Sequence, residues 1–344
     1  MNYIGSKYSL IDFLKQSIDK TLTACGENRQ PSEMVFADLL SGTGVVCGAF
    51  KEQGYNVIAN DVQYYSYVVT KHIAENGDNL DRERCSDLIG RLNQLDGVEG
   101  FIYKNYSYEG TQGQEFRRMY FSEHNAKKCD AVRMTIEKWF VDGEINENEY
   151  FFLLASLINS IDKYANTASV YGAYLKKLKK SAQKEMQLSP MPITKGNGNY
   201  SVFNRDISQL IREVDGDILY LDPPYNERQY CTNYHLLETI ARYDNPVIKG
   251  KTGLREYSEQ KSLFCVKNKV AEVFEDLIKN AKFRYIFLSY NNEGLMPFDT
   301  IEKIMKKYGK YKVYMQTHRR FKADNARDNQ ADTTVEYLHC LIKK

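Results

Sequence analysis

A chain of 344 residues is long enough for one large or two ordinary domains with a real core. Its 47 Lys and Arg against 45 Asp and Glu leave a net charge of only +2. This excludes a global electrostatic field, so any nucleic-acid surface must be a local patch. Aromatic residues make up 13%, with 27 Tyr and one Trp, which suits half-buried strands and stacking surfaces equally. The cysteines (Cys25, Cys47, Cys85, Cys129, Cys231, Cys265 and Cys340) are odd in number and form no C-x-x-C pair. That argues against a disulfide framework or a structural zinc and points to reduced thiols. The first residues, "MNYIGSKYSLIDFLKQSI", lack the apolar core and cleavage site of a signal peptide, and no stretch reads as a bilayer span. A soluble, cytoplasmic protein with neither membrane nor metal is expected.

In chain order, residues 8–20 place Tyr8, Leu10, Ile11, Leu14 and Ile18 at helical spacing. "EMVFADLL" reads as a strand that runs into "SGTGVVCGAFKEQG", a glycine turn opening a helix that ends near Gly54. "YNVIAND" is a second strand ending in Asp61, and residues 63–75 look helical. Strand–helix–strand is the unit of a parallel sheet. From 77 to 200 the rhythm changes: "NYSYEGTQGQEFRRMYFS" has no clear period, and a strong helix at 147–164 precedes the basic run "YLKKLKKSAQK". This span reads as a partly helical insertion on a core formed by 1–76 and 201–344. The sheet resumes with "YSVFNRDISQLI" and "GDILYLDPPY". Helices at 232–243, 266–280 and 298–307 and a strand "RYIFLSYN" follow. "YKVYMQT" and "TVEYLHCLI", around a polar loop, suggest a final antiparallel hairpin.

Three of these strand ends would each present an acid, Asp38, Asp61 and Asp222, on one edge of one sheet. The turn after Asp38 carries Gly42 and Gly44, which let backbone approach a nucleoside-type ligand. The G-x-G-x-x-G spacing and a Walker lysine are both missing, which counts against a phosphate cradle. Asp61 fits a ribose ligand and a helix N-cap about equally well, and its order after the glycine turn favours the ligand. In "DPPY", the Asp222 carboxylate and the Pro223 carbonyl are acceptors, and Pro223 and Pro224 offer no N–H. Two converging acceptors suit both protons of an exocyclic amine, and the Tyr225 ring is a face on which a base can stack. A base paired in a duplex would have to be flipped out to reach them.

On these motifs the chain resembles a Dam-like, S-adenosylmethionine-dependent adenine-N6 DNA methyltransferase of the alpha group and restriction-modification type. The resemblance implies a Rossmann-like class I fold: a twisted, mainly parallel seven-stranded sheet whose last strand is antiparallel, with 77–200 as the DNA target-recognition insertion. "NYIGSK" is similar to a motif at the cofactor's methionine end, which implies Tyr3 and Lys7. "DLLSGTG" implies Asp38, Gly42 and Gly44 at the cofactor, although it starts on an acid where relatives often have Pro-Phe. "NDVQ" implies Asp61 on the ribose, and "NRDISQL" implies Asp206 at the cofactor's adenine. "DPPYNERQY" implies Asp222, Pro223, Pro224 and Tyr225 as the catalytic motif, with Asp222 also beside the cofactor. The partners implied are double-stranded DNA and a paired restriction endonuclease.

Competing readings stand beside these. Asp206 also fits a cap for "ISQLIREV". Lys176, Lys177, Lys179 and Lys180 read as a solvated helix face or as phosphate contacts. Arg319, Arg320 and Lys322 read as a solvent loop or a grip on the DNA backbone. Related pockets also modify adenine or guanine in ribosomal RNA, and a non-catalytic nucleic-acid binder would need the DPPY run to have decayed, whereas it is intact.

Overall fold

A computed structural model describes residues 5–77, 79–319 and 333–344. The chain divides into two compact units. One is Ser6–Val62, Gly196–Gln229 and Gln260–Lys344, and it contains the whole sheet. The strands are β1 (Val35–Asp38), β2 (Asn56–Asn60), β3 (Tyr200–Phe203), β4 (Asp215–Leu221), β5 (Lys282–Asn291), β6 (Gly309–Arg319) and β7 (Thr333–Lys343). Their order is β3-β2-β1-β4-β5-β7-β6. β1 to β5 are parallel, and β7 runs antiparallel to both β5 and β6. This is the mainly parallel seven-stranded sheet with an antiparallel last strand that was expected.

Helices α1 (Ile11–Ala24) and α2 (Val45–Glu52) cover one face. There Phe36 of β1 stacks on Phe50 of α2, ring centroids 3.8 Å apart, and Thr21 of α1 hydrogen-bonds Tyr314 of β6. Because strand side chains alternate faces, the next residue, Ala37, lies in the opposite core with Leu219, Leu221, Ile286 and Leu288.

The second unit is Met1–Gly5, Gln63–Lys195 and Tyr230–Glu259. It is helical, with α3 (Tyr64–Glu75), α4 (Arg82–Asn93), α5 (Phe101–Tyr106), α6 (Glu123–Val141) and α7 (Glu147–Tyr164). The apolar run of α7 is buried, as its composition implied. Further along the chain come α8 (Ile207–Leu210), α9 (Tyr230–Asn233), α10 (His235–Arg242), α11 (Val270–Asn280) and α12 (Phe298–Tyr308). Of these, α8, α11 and α12 supply the core around Ala37 through Leu210, Phe274, Ile278, Ile301 and Met305. Most of 77–200 lies in this helical unit, which runs over 63–195 and 230–259. It also holds α3 and α10, which are tied together by the backbone N–H of Tyr65 donating to Glu238 Oε2 at 3.0 Å.

Candidate functional site

The carboxyl ends of β2, β1 and β4, three neighbouring parallel strands, carry the three acids. Asp38 is the last residue of β1, Asp61 follows β2 directly, and Asp222 follows β4 directly. Ligands of open parallel sheets bind outside this edge. Between Asp38 and α2 the chain turns through Gly42 (φ +53°) and Gly44 (φ +72°), a region that side chains with a Cβ enter only with strain. The Gly42 N–H donates to Asp61 Oδ2 at 2.9 Å, so the second acid pins the turn made after the first. Asn60 adds a stitch that sequence reasoning missed: its amide donates to the carbonyls of Leu39 and Arg205 and accepts from the Arg205 N–H.

Asp38 is buried, and its Oδ1 has no hydrogen-bond partner among the described residues. Burial, and then the charges of Asp222 and Asp61, push its carboxyl up to about 8. Asp222 is 21% exposed and rises to about 6: burial raises it, Lys7 pulls it down, and Glu336 pushes it up again. The edge is therefore short of positive charge. A cationic ligand would restore the carboxylates to their ionised form by simple attraction.

Lys7, expected at a cofactor's methionine end, bonds the first residue of the DPPY run. Its Nζ lies 2.9 Å from Asp222 Oδ1 and 3.2 Å from Glu336 Oε1. Burial alone would lower this ammonium, yet Asp222 and Glu336 outweigh it and hold the group well above its ordinary range. Glu336 of β7 is buried, and Ser289 of β5 donates its hydroxyl to the same Oε1 at 3.0 Å. Neither residue was singled out in the sequence. The available signal was an acid at an inward position of the apolar run "TVEYLHCLI", since a buried carboxylate demands a partner.

Pro223 is buried, and Pro224 and Tyr225 are half-buried. The Tyr225 ring packs on the core below, and its carbonyl accepts from the Leu295 N–H at 2.9 Å, which holds the motif's far end. Asp206 caps α8, its Oδ1 accepting from the Ser208 N–H at 2.7 Å and the Ser208 hydroxyl at 2.5 Å. Tyr3, Arg320 and Lys322 lie outside the described residues, and Arg319 is described only by its backbone at the end of β6.

The basic run lies in the helical unit as turns and bends, where a helix face had been one reading. Lys176, Lys177 and Lys180 are exposed, whereas the Lys179 ammonium donates to the Thr167 carbonyl at 2.9 Å. His235 is buried in α10. Its Nε2 meets the Tyr171 carbonyl at 3.0 Å, and burial lowers it to about 4, so it is a neutral packing residue.

The sequence profile of the family described as D12 class N6 adenine-specific DNA methyltransferase matches residues 3–313. The Type II methyltransferase M.NlaIII of Neisseria lactamica is 48% identical over 345 residues, covering 100% of this chain and 99% of that protein. The Type II methyltransferase M.CviAII of Paramecium bursaria Chlorella virus 1 is 37% identical, covering 94% and 93%. The Type II methyltransferase M.FokI of Planomicrobium okeanokoites is 40% identical over all of this chain, which spans 53% of that longer protein.

Proposed function

Since the chain belongs to the D12 class N6 adenine-specific DNA methyltransferase family, we propose that it methylates N6 of an adenine flipped out of duplex DNA. We take S-adenosylmethionine as the donor and the modification half of a type II restriction-modification system, paired with an endonuclease, as the setting. The observation that carries this reading is the Asp222–Tyr225 motif leaving β4 on the same sheet edge as Asp38 and Asp61.

The chain's own work is positioning and acceptor alignment. The Asp222 carboxylate takes one hydrogen bond from the amine and the Pro223 carbonyl takes the other, so the nitrogen lone pair is drawn out of ring conjugation. Pro224 keeps this stretch extended, and the Tyr225 ring stacks on the base. The donor is a sulfonium with an ammonium group, and an edge with three acids and an unpartnered Asp38 Oδ1 fits a cation of that kind. Asp61 would receive the ribose hydroxyls, because a carboxylate at a strand end can accept several hydrogen bonds and already accepts one from the Gly42 N–H. Gly42 and Gly44 allow close approach, and Asp206 would border the donor's adenine from its capping position. When bound, the donor supplies a methyl on cationic sulfur, so that the N6 lone pair forms the C–N bond, the C–S pair stays on sulfur, and an N6 proton leaves to solvent.

Within the helical unit, the exposed ammoniums of Lys176, Lys177 and Lys180 are the phosphate contacts we favour. Plasmid DNA from cells producing the protein tests the whole reading. N6-methyladenine is expected within one short sequence, and unmodified adenines despite folded protein would overturn it. Asp61→Ala is expected to weaken donor binding by about tenfold or more, the loss of a charge-assisted hydrogen bond. Unchanged affinity by calorimetry would leave Asp61 with the turn alone.

A further inference from the structure

We propose that Glu336 is a positioning residue for methyl transfer: through its grip on Lys7 it fixes the Asp222 carboxylate and sets that group's charge. The inference rests on Asp222 being the acceptor for the N6 amine. A lysine ammonium is a mobile point charge on a flexible stem, and a single partly exposed carboxylate does not hold it in one place. Here Nζ is held from two sides, by Asp222 Oδ1 at 2.9 Å and by Glu336 Oε1 at 3.2 Å. The second anchor is itself rigid, since Glu336 is 4% exposed, comes from the strand between β5 and β6, and has its Oε1 fixed by the Ser289 hydroxyl.

The charges explain why a second acid belongs there. One cation shared between two carboxylates only half neutralises Asp222. With no cation, a carboxylate so enclosed would hold its proton and lose an acceptor. With a cation of its own, it would be drawn away from the amine. The groups facing Asp222 are the Lys7 ammonium, the Glu336 carboxylate of β7, the Asp38 carboxyl of β1 and the Tyr220 phenol of β4. Glu336 alone among them bonds Lys7 from outside the three acid-bearing strands, reaching the same edge from the start of the antiparallel β7, where it pairs with Asn291 at the end of β5.

The test is the single-turnover rate of methyl transfer from labelled S-adenosylmethionine to adenine in plasmid DNA, followed across pH. In the wild-type protein the rate should rise with pH as Asp222 ionises, through a midpoint below the value near 6 that holds without the donor, because the bound cation draws the carboxylate toward its ionised form. In Glu336→Gln the midpoint should fall by about one pH unit, the size a single neighbouring charge produces. Glu336→Asp keeps the charge and withdraws it by one methylene. It should hold the midpoint but lose about tenfold in plateau rate, with donor and DNA affinities within about twofold. An unmoved midpoint in folded Glu336→Gln overturns the proposal. If that variant does not fold, a wild-type plateau in Glu336→Asp does so. Absence of labelled adenine with the wild-type protein would instead remove the reading on which the proposal rests.

Discussion

Asp222→Ala should lower single-turnover methyl transfer by about a thousandfold while leaving donor affinity within a few fold. The substitution takes away the acceptor that holds one N6 proton, and with it the negative charge that steadies an amine growing positive as it attacks. Removing one preorganised hydrogen-bonding group around a developing charge costs about 10²–10³ in other enzymes, and here the charge of the group goes as well. Folding should survive, because Lys7 keeps Glu336 as its partner and Asp222 is itself 21% exposed. Donor binding measured by calorimetry separates this result from a collapsed site. Transfer at more than a tenth of the wild-type rate in a folded Asp222→Ala protein would move the amine's acceptor elsewhere.

Lys7→Met should be the more damaging change to the fold. It strands two carboxylates that now share one ammonium, and breaking a buried pair from one side costs about 3 kcal/mol. Asp222 would then hold its proton to higher pH. A folded state that binds protons more tightly than the unfolded chain loses stability as pH rises. The deficit against wild type should therefore widen from about pH 4, where unfolded carboxylates ionise, upward into the neutral range. The acid limb of transfer should move upward, opposite in direction to that of Glu336→Gln. Urea melts at two pH values and a rate–pH profile check both parts. A deficit that shrinks with rising pH would show that Lys7 does not offset these acids.

Much of the sheet was legible because its elements follow local rules. The helix at 147–164 was read to its ends, since Asn146 with Glu149 forms a capping box and a long apolar run follows. "DILYL" followed by two prolines had to be a strand with a hard stop. The helical unit was less legible. α4 does carry its apolar residues at helical spacing (Cys85, Leu88, Ile89, Leu92), but it lies in a span whose Tyr- and Gly-rich neighbour set the expectation of irregularity. α6 hides its period because Asn125, Lys128, Asp130 and Arg133 face inward, where they bond backbone groups of other segments. A single helix was expected over 232–243, and the chain instead breaks at Tyr234 (φ −123°, ψ 21°) between α9 and α10. At the site, the strand-end acids and the glycine turn were legible as motifs. The link from Lys7 to Glu336 was not, because no local pattern says which distant strand will face an N-terminal lysine.

That same link sets an order of events during translation. β7 lies between β5 and β6 in the sheet, so both of its neighbours leave the ribosome before it does. Until β7 slots in, Lys7 lacks its anchor on Glu336. Nascent chains that fold progressively from the N-terminus would thus build the glycine turn and the DPPY corner before Lys7 has its second anchor.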